Sequence, residues 1–367
     1  MRTLHLFLTI ALSLSTTAYD DSRLQRRLIV PVNGLGISNR DLSVFPRSNT
    51  SDSYSLDNIK RALDDHRLVR RVSSGIVKLT MNMGRPTGTV SFSGESVAIV
   101  LFDTGSSITW AKLSAIPSST SITFATMGGL FKLQGYKAKG TVKLRKGLTS
   151  QMEFAKVSGK TPNNYAGGIA LDRSRISWSN SLVNHIPPHF AFYSLGPNHI
   201  EFDFGGFDTQ HYHNIEWYHV SPHDKKWTID DAHIKIDGEA SQVEGISTII
   251  NTGVRYIYGS ANEVAKVYQK LEGRHLDGFW TLPCDKPPVV SFSWGKTDFP
   301  IHDYLVDGKS SEVGGRKYCR GAIRPHRRVP DNQFVLGITF VYGKYAAFDG
   351  VHNVMGFTLI QHPASQQ

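Results

Sequence analysis

Short apolar or alternating runs, separated by glycine, asparagine, aspartate and proline, follow one another along most of this chain. Runs with this pattern cover residues 75–81, 88–92, 97–102, 140–144, 200–204, 215–220, 289–293 and 345–348. Such runs are typical of β-strands bounded by turns. Residues 260–271 differ, because their apolar side chains recur at helical spacing. The pattern therefore predicts an all-β protein with few helices, built as a sandwich, a barrel or paired lobes.

The first eighteen residues have the organisation of a secretory signal peptide. Arg2 supplies the positive start, residues 4–14 are mostly apolar, and Thr16 and Ala18 are small residues near the expected cleavage site. This apolar stretch is too short to cross a bilayer, and no later run approaches the required length of about 18 residues. We therefore expect a secreted, extracellular protein without a membrane span.

Residues 19–71 differ in composition from the rest of the chain and are predicted to be a propeptide. They are rich in arginine and turn residues, and they contain the glycosylation sequon at Asn49. The dibasic pair Arg70-Arg71 directly precedes the first predicted strand of the folded region. A processing protease that cleaves after dibasic pairs is expected to release a mature chain that starts at Val72.

Two cysteines, Cys284 and Cys319, lie 35 positions apart. In an oxidising compartment the simplest prediction is one disulfide bond between them. A metal site is disfavoured, because neither cysteine has a second ligand at short spacing. The histidines also lack a metal-binding spacing such as H-E-x-x-H, so we expect no metal and no cofactor.

The net charge of +10 allows contact with acidic surfaces, but does not by itself indicate a partner. The densest basic cluster contains Arg324, His326, Arg327 and Arg328, and is interpreted as a solvated loop. No recognised module with interleaved aromatic residues is visible in the sequence, so nucleic acid is not an expected partner.

The strongest local motif is the segment 100–110, Val-Leu-Phe-Asp-Thr-Gly-Ser-Ser-Ile-Thr-Trp. An apolar strand delivers Asp103 into a tight turn, where Gly105 permits unusual backbone angles and Thr104 and Ser106 offer hydroxyl groups. This segment, including Trp110, resembles the first active-site loop of pepsin-like aspartic proteases.

Further segments match that family in order and at fitting spacing. They are residues 166–171, 204–208 with the following Trp217 and Trp227, 237–239, 334–340, 348–349 and 355–357. The resemblance covers about residues 72–362, and the Cys284–Cys319 pair fits the disulfide of the family's C-terminal lobe. It implies a bilobal pepsin-like fold, with an N-terminal lobe at 72–207 and a C-terminal lobe at 208–367. It also implies a monomer that takes a peptide or protein in the cleft between the lobes.

In the family, each lobe contributes one aspartate to the floor of the cleft. The two carboxylates share one proton, because like charges a few ångströms apart do not both ionise cheaply. The ionised aspartate takes a proton from a bound water, which attacks the peptide carbonyl, and the protonated one stabilises the oxyanion.

The second loop of this chain, residues 249–256, departs from the family's pattern. It keeps Thr252 and Gly253, but Asn251 stands where the second aspartate is expected. Val254 removes a hydroxyl that would brace that carboxylate, and Arg255 replaces a small hydroxyl residue that contacts the bound peptide. An asparagine can form hydrogen bonds, but it can neither ionise nor pass on a proton.

The flap that covers the substrate in relatives also differs. Residues 124–131 correspond to it, and the alignment places Gly128, followed by Gly129, where the family has a tyrosine. That tyrosine normally pairs with the tryptophan that Trp110 matches. Its loss removes a hydrogen bond and an aromatic wall from the site.

These changes predict a secreted aspartic endopeptidase homologue that is inactive or severely impaired and keeps a peptide-binding cleft. One alternative is an active endopeptidase with an unusual Asp/Asn site. A second alternative is a binding protein whose basic surface takes an acidic polymer. For Asp103, a residual role in peptide contact and a purely structural role in its turn both stay open.

Overall fold

The computed structural model describes residues 75–114, 120–127, 129, 131–145, 148–173, 189–208, 215–222, 224–302 and 304–360. The predicted signal peptide and propeptide, with Asn49, lie outside these residues. In the described part of the chain, no helix combines the length and the apolar character needed to cross a membrane.

The first half of the chain forms ten strands within the described residues. These are β1 Gly75–Asn82, β2 Arg85–Phe92, β3 Glu95–Asp103, β4 Trp110–Lys112, β5 Ser121–Thr126, β6 Phe131–Arg145, β7 Leu148–Val157, β8 Gly167–Ala170, β9 His189–Gly196 and β10 His199–Phe204. A short 3₁₀ helix, Pro162–Asn164, precedes β8.

The second half contributes the other strands and two helices. The strands are β11 Glu216–His219, β12 Thr228–Ile236, β13 Glu239–Ala240, β14 Ile246–Ile250, β15 Ile257–Gly259, β16 Arg274–Leu276, β17 Phe279–Pro283, β18 Val290–Ser293, β19 Asp298–Pro300, β20 Leu305–Val313, β21 Arg316–Gly321, β22 Ile323–Pro325, β23 Gln333–Leu336, β24 Lys344–Asp349 and β25 Val354–Leu359. The helices are α1 Ala261–Lys270 and α2 Ile338–Val341.

The predicted helix at 260–271 is confirmed as α1. Ser260 caps it by accepting a hydrogen bond from the backbone N–H of Glu263 at 3.2 Å. Its buried face contains Val264, Val267 and Tyr268, as the helical spacing predicted.

The segment 334–340 resembles one of the family's final strands, but it is strand only as far as Leu336. The chain leaves the sheet at Gly337, where backbone carbonyl groups of the loop at 254–256 pack against the Cα atom. Ile338 then donates its N–H to the carbonyl of Val254 at 2.9 Å. One turn of helix, α2, follows, because these local bonds replace those of the sheet.

A six-stranded antiparallel sheet joins the two halves of the chain. Its order is β11-β25-β24-β9-β10-β1, so each half contributes three strands. From β1 the strand path continues into the first half as β2-β3-β8-β4-β7-β6-β5. The second half adds the sheets β19-β18-β12-β14-β23-β15-β22 and β16-β17-β21-β20. The all-β class consistent with a bilobal pepsin-like fold is confirmed, whereas the lobe boundary between residues 207 and 208 stays a prediction.

Buried aromatic side chains fill the contact between the halves. Phe190 of β9 stacks on Phe348 of β24 with ring centroids 4.7 Å apart. Trp227, which precedes β12, packs edge-on against Phe348 at 5.1 Å. Aromatic burial of this kind supplies a large part of the hydrophobic stabilisation of a core. The halves are therefore joined by side-chain packing as well as by the shared sheet.

A buried carboxylate with two histidines lies at one end of the shared sheet. His189 and Asp349 are cross-strand neighbours on β9 and β24, and the His189 Nε2 atom lies 3.1 Å from Asp349 Oδ1. His352 Nδ1 lies 2.7 Å from Asp349 Oδ2. Asp349 is fully buried, and its Oδ1 atom also accepts the N–H groups of Val351 and His352. We refer to His189, Asp349 and His352 as the His–Asp–His cluster.

Charge interactions set the protonation of this cluster. Burial by itself would raise the pKa of the Asp349 carboxyl, but His189 and His352 outweigh it and hold that pKa below its usual range. Burial would lower the pKa of His352, but its hydrogen bond and charge interaction with Asp349 raise it. The cluster thus holds a buried carboxylate that favours its ionised form, with an imidazole ring on each side.

The predicted disulfide is confirmed. Cys284 and Cys319 are bonded, with their Cα atoms 5.0 Å apart, and the bond crosslinks the end of β17 to β21.

Replacing both cysteines with serine is expected to lower the free energy of unfolding by roughly 3–4 kcal/mol, because the crosslink closes a loop of 35 residues in the unfolded chain. Urea unfolding of the secreted protein and the double variant measures this difference. Ser310→Ala, on the neighbouring strand β20, is the control, because it changes a side chain of similar size without removing the crosslink. Equal stability of the double variant and the unmutated protein contradicts this expectation.

Candidate functional site

Two loops of related geometry meet at the centre of the molecule. Asp103 ends β3, which runs parallel to β8, and its carbonyl accepts the N–H of Leu171 at 2.9 Å. Asn251 follows β14, which runs parallel to β23, and its N–H donates to the carbonyl of Leu336 at 2.9 Å. Each loop thus begins at the end of a strand, and a parallel neighbouring strand holds that strand in place.

Thr104 and Thr252 lock the two loops together with reciprocal hydrogen bonds. The N–H of Thr104 donates to the hydroxyl of Thr252 at 3.1 Å, and the N–H of Thr252 donates to the hydroxyl of Thr104 at 3.0 Å. The two hydroxyls donate in turn to the carbonyls of Ile250 and Phe102, at 2.8 and 2.7 Å. Both threonines are fully buried, so this network fixes the relative position of the loops.

The side chains of Asp103 and Asn251 point across the contact between the loops. A Cβ atom at Gly105 would collide with the amide group of Asn251, and a Cβ atom at Gly253 would collide with the carboxylate of Asp103. Each polar side chain therefore lies against the glycine of the opposite loop. Both loops need glycine at this position, because any side chain would fill the space that these groups occupy.

The carboxylate of Asp103 is held by hydrogen bonds on both oxygens. Oδ1 accepts the N–H of Gly105 at 2.9 Å, and Oδ2 accepts the hydroxyl of Ser106 and the N–H of Met127, the latter at 2.9 Å. Burial nevertheless raises the pKa of Asp103, because it outweighs these bonds and the positive charge of Arg85. The group is thus oriented like a catalytic acid or base, in a site that disfavours its charge.

Asn251 has a defined amide orientation and an unused donor. Its Oδ1 accepts the N–H of Gly253 at 2.9 Å, which places the NH₂ group on the other side. The Nδ2 atom is buried and has no hydrogen-bond acceptor among the described residues. A buried amide N–H without a partner is costly, so the site favours a ligand oxygen or a water molecule there.

Val254 takes the place in the second loop that Ser106 takes in the first. The N–H of Ser106 lies 3.4 Å from the carbonyl of Asp103, and the N–H of Val254 lies 3.3 Å from the carbonyl of Asn251. The side chain of Val254 is buried in a hydrophobic cluster with Met127 and Trp110. The hydroxyl that braces Asp103 therefore has no counterpart beside Asn251.

The hairpin of β5 and β6 closes over Asp103. Met127, which follows β5, is buried with a positive φ of 54°, and its N–H reaches the carboxylate. Gly129 is fixed from the second half of the chain, because its carbonyl accepts a hydrogen bond from Arg328. Gly128, the predicted counterpart of the flap tyrosine, lies outside the described residues.

The indole ring of Trp110 lies beside the candidate site. Its indole N–H is buried and has no acceptor within the described part of the chain. The side chain packs in the cluster with Met127 and Val254 instead. The described residues thus offer this ring apolar contacts but no hydrogen-bond acceptor.

Arg255 extends from the second loop toward the first half of the chain. Its side chain lies against Gly84, in the turn between β1 and β2, and its guanidinium carbon lies 4.9 Å from the ring centre of Tyr256. The sequence singled out Arg255, but it indicated no contact with the site for Arg85, for Met127 of the flap segment or for Arg328 of the basic cluster. Only folding brings these three residues to the site.

Comparisons with known proteins agree with this geometry. A family model described as "Eukaryotic aspartyl protease" matches residues 177–360. An "Aspartic protease" of Phaffia rhodozyma is 28% identical over 312 residues, which cover 74% of this chain and 75% of that protein. "Secreted aspartyl protease 1" of Malassezia globosa is 27% identical over 164 residues, 42% of this chain and 37% of that protein. "Cathepsin E" of Mus musculus is 24% identical over 207 residues, 53% of this chain and 51% of that protein.

Proposed function

Because this chain belongs to the eukaryotic aspartyl protease family, we propose that it is a secreted member that binds peptides above Asp103 and Asn251 and cleaves them very slowly or not at all. In this proposal Asn251 occupies the position of the second catalytic aspartate. Thr104, Gly105, Ser106, Trp110, Gly129, Thr252, Gly253, Val254 and Arg255 form the surroundings of the bound peptide.

The observation that carries this proposal is the pair formed by Asp103 and Asn251. Peptide hydrolysis by this family needs one ionised and one protonated carboxyl group at the same water molecule. Asn251 supplies neither form, and Val254 presents methyl groups where a hydroxyl would orient a carboxylate. Asp103 alone can take a proton from water, but within the described ranges no acid faces it to protonate the developing oxyanion.

The same geometry suits binding. The Nδ2 atom of Asn251 is a buried donor without an acceptor among the described residues. A peptide carbonyl oxygen is an acceptor of the right chemistry for it. Asn251 would then hold the peptide bond that an aspartate in its place would help to cleave.

The flap must move for a peptide to enter. In the closed arrangement the N–H of Met127 occupies one oxygen of Asp103, and Arg328 fixes Gly129. The bound peptide has to replace these contacts with its own. This requirement adds a conformational cost to binding and to any remaining catalysis.

Secretion is part of the proposal. It is supported by the signal-peptide pattern of residues 1–18, by the Cys284–Cys319 disulfide and by a relative named as a secreted aspartyl protease.

Short fluorescein-labelled peptides of mixed sequence test the binding function. Fluorescence anisotropy with the secreted protein is expected to show saturable binding, and mass spectrometry of the same samples is expected to find the peptides uncut. Asn251→Leu should weaken binding by about 3- to 10-fold, because it removes one hydrogen-bond donor to the peptide.

Asn262→Leu, on the exposed face of α1, is the matched control and should bind as the unmutated protein does. Cleavage of the bound peptides would favour the active-enzyme alternative. A complete lack of peptide binding would show that the cleft is vestigial.

A further inference from the structure

Three arginines and two aromatic rings interleave next to the candidate site. The guanidinium carbons of Arg255 and Arg324 lie 4.9 and 3.3 Å from the ring centre of Tyr256. Those of Arg324 and Arg320 lie 5.5 and 3.6 Å from the ring centre of Phe279. We call Arg255, Tyr256, Arg324, Phe279 and Arg320 the arginine–aromatic ladder. Its members come from the second loop and from β17, β21 and β22.

The ladder lies in a region of concentrated positive charge. The basic residues of segment 316–330 are Arg316, Lys317, Arg320, Arg324, Arg327 and Arg328, and this segment contains no aspartate or glutamate. His326 lies within this region, and its ring contacts the ring of Tyr258. Its pKa is lowered by burial and by the positive charges of Arg328 and Arg327. Arg316 is paired with Asp285 at 3.1 Å, but the charges around His326 are like charges, which an anionic ligand would stabilise.

One end of the ladder adjoins the site itself. Arg255 follows Asn251 by four positions and lies against Gly84 of the first half of the chain. The positive charge of the next residue, Arg85, acts on the carboxylate of Asp103. A ligand that lies over Asp103 and Asn251 can thus reach the first arginine of the ladder without leaving the site.

Contact with aromatic rings restricts the arginine side chains before a carboxylate ligand binds. The guanidinium carbons of Arg324 and Arg320 lie 3.3 and 3.6 Å from ring centres, which limits the motion of these side chains. A guanidinium group can engage a carboxylate with two parallel hydrogen bonds in its own plane. Less side-chain entropy is then lost when an anion binds.

We propose that the arginine–aromatic ladder is a subsite of the peptide cleft that selects peptides carrying a run of aspartate or glutamate side chains. This inference rests on the proposed function, because it assigns a substrate class to the same cleft. An acidic peptide fits better than a polysaccharide or a nucleic acid, because the ladder begins at Arg255, beside the groups that would hold a peptide backbone.

Three labelled peptides of one length and backbone sequence test the proposal. They differ in one run, which is glutamate in the first, glutamine in the second and lysine in the third. Fluorescence anisotropy at low salt is expected to show that the unmutated protein binds the glutamate peptide at least about tenfold more tightly than the glutamine peptide. Binding should weaken with added salt, because screened charges attract less.

The triple variant Arg255→Gln, Arg320→Gln, Arg324→Gln should lose this preference and bind the glutamate and glutamine peptides equally.

The matched control is Arg274→Gln, Arg316→Gln, Lys317→Gln, which removes the same charge from exposed positions outside the ladder. One residue of the control, Arg274, also lies over an aromatic ring, with its guanidinium carbon 5.0 Å from the ring centre of Tyr318. The control should keep most of the preference, which shows that the effect comes from the ladder and not from net charge. Arg320→Gln alone should lose part of it and serves as a second variant if the triple variant does not fold.

The outcomes separate this inference from the proposed function. Equal binding of the glutamate and glutamine peptides by the unmutated protein overturns the ladder's role but leaves peptide binding intact. Failure of every peptide to bind overturns the proposed function and the inference with it. Heparin or a single-stranded oligonucleotide that binds through the ladder, with no preference among peptides, overturns the inference in favour of a polyanion surface.

Discussion

The unmutated mature protein is expected to release no detectable fragments from general protein substrates at acid or neutral pH. Asp103 is oriented by Gly105, Ser106 and Met127, but no second carboxylate faces it among the residues that the structure describes. Loss of one positioned acid costs roughly 10²- to 10⁴-fold in rate. The flap contact between Met127 and Asp103 adds to this loss, because substrate must first displace it.

Asn251→Asp alone should restore little activity. The new carboxylate would lie beside the methyl groups of Val254, which donate no hydrogen bond, whereas Ser106 braces Asp103. Asn251→Asp combined with Val254→Thr and Arg255→Ser should cleave measurably faster, because threonine has the shape of valine and supplies a hydroxyl. The Met127 contact is unchanged in this variant, so full activity is not expected.

Initial rates on a quenched fluorescent peptide, with and without pepstatin, measure these differences. Asp103→Asn added to the triple variant is the control and should abolish whatever activity was gained. Robust pepstatin-sensitive proteolysis by the unmutated protein would overturn the proposal of impaired catalysis.

Asp349→Ala is expected to lower the free energy of unfolding by roughly 3–5 kcal/mol, the usual cost of removing one partner from a buried ion pair. The substitution leaves His352 and His189 without the carboxylate that both contact, beside a position where Asp349 is fully buried. It also removes the acceptor for two backbone N–H groups.

The His–Asp–His cluster should also give stability a distinct pH dependence. The pKa of Asp349 is lowered in the folded state, so its contribution is present above its unfolded pKa of about 3.9 and lost as the pH falls through the folded value. The pKa of His352 is raised, so its contribution is complete below about pH 6.5 and lost as the pH rises through the folded value. The cluster therefore stabilises the fold most between roughly pH 4 and 6.5.

Urea midpoints across this pH range test both expectations. Asp349→Asn should flatten the profile, because the amide cannot ionise. His199→Asn is the matched control, since His199 is exposed beside Glu201 and such surface pairs contribute little. A midpoint for Asp349→Ala within experimental error of the unmutated protein would contradict the role assigned to the cluster.

Much of the fold was predictable from the sequence, because the apolar pattern of a segment indicates whether that segment forms a strand or a helix. A continuous apolar run predicted β3, an alternating run predicted β10, and the apolar stripe on residues 260–271 predicted α1. The stretch 338–340 resembles a strand of the family but forms a helical turn together with Val341. Its helical turn arises from hydrogen bonds to the loop at 254–255, which no local pattern records.

The sequence by itself determined the two loops of the site, since Asp103 and Asn251 each follow an apolar strand and precede a Thr-Gly pair. It also determined the disulfide, because two cysteines allow one pairing within the chain. Only the tertiary structure decided how far the site is closed, because Met127 and Arg328 reach it from separate elements. The His–Asp–His cluster and the arginine–aromatic ladder were likewise decided by folding. Their members are spread along the chain, and their charges and stacking act only at distances that the packed sheets create.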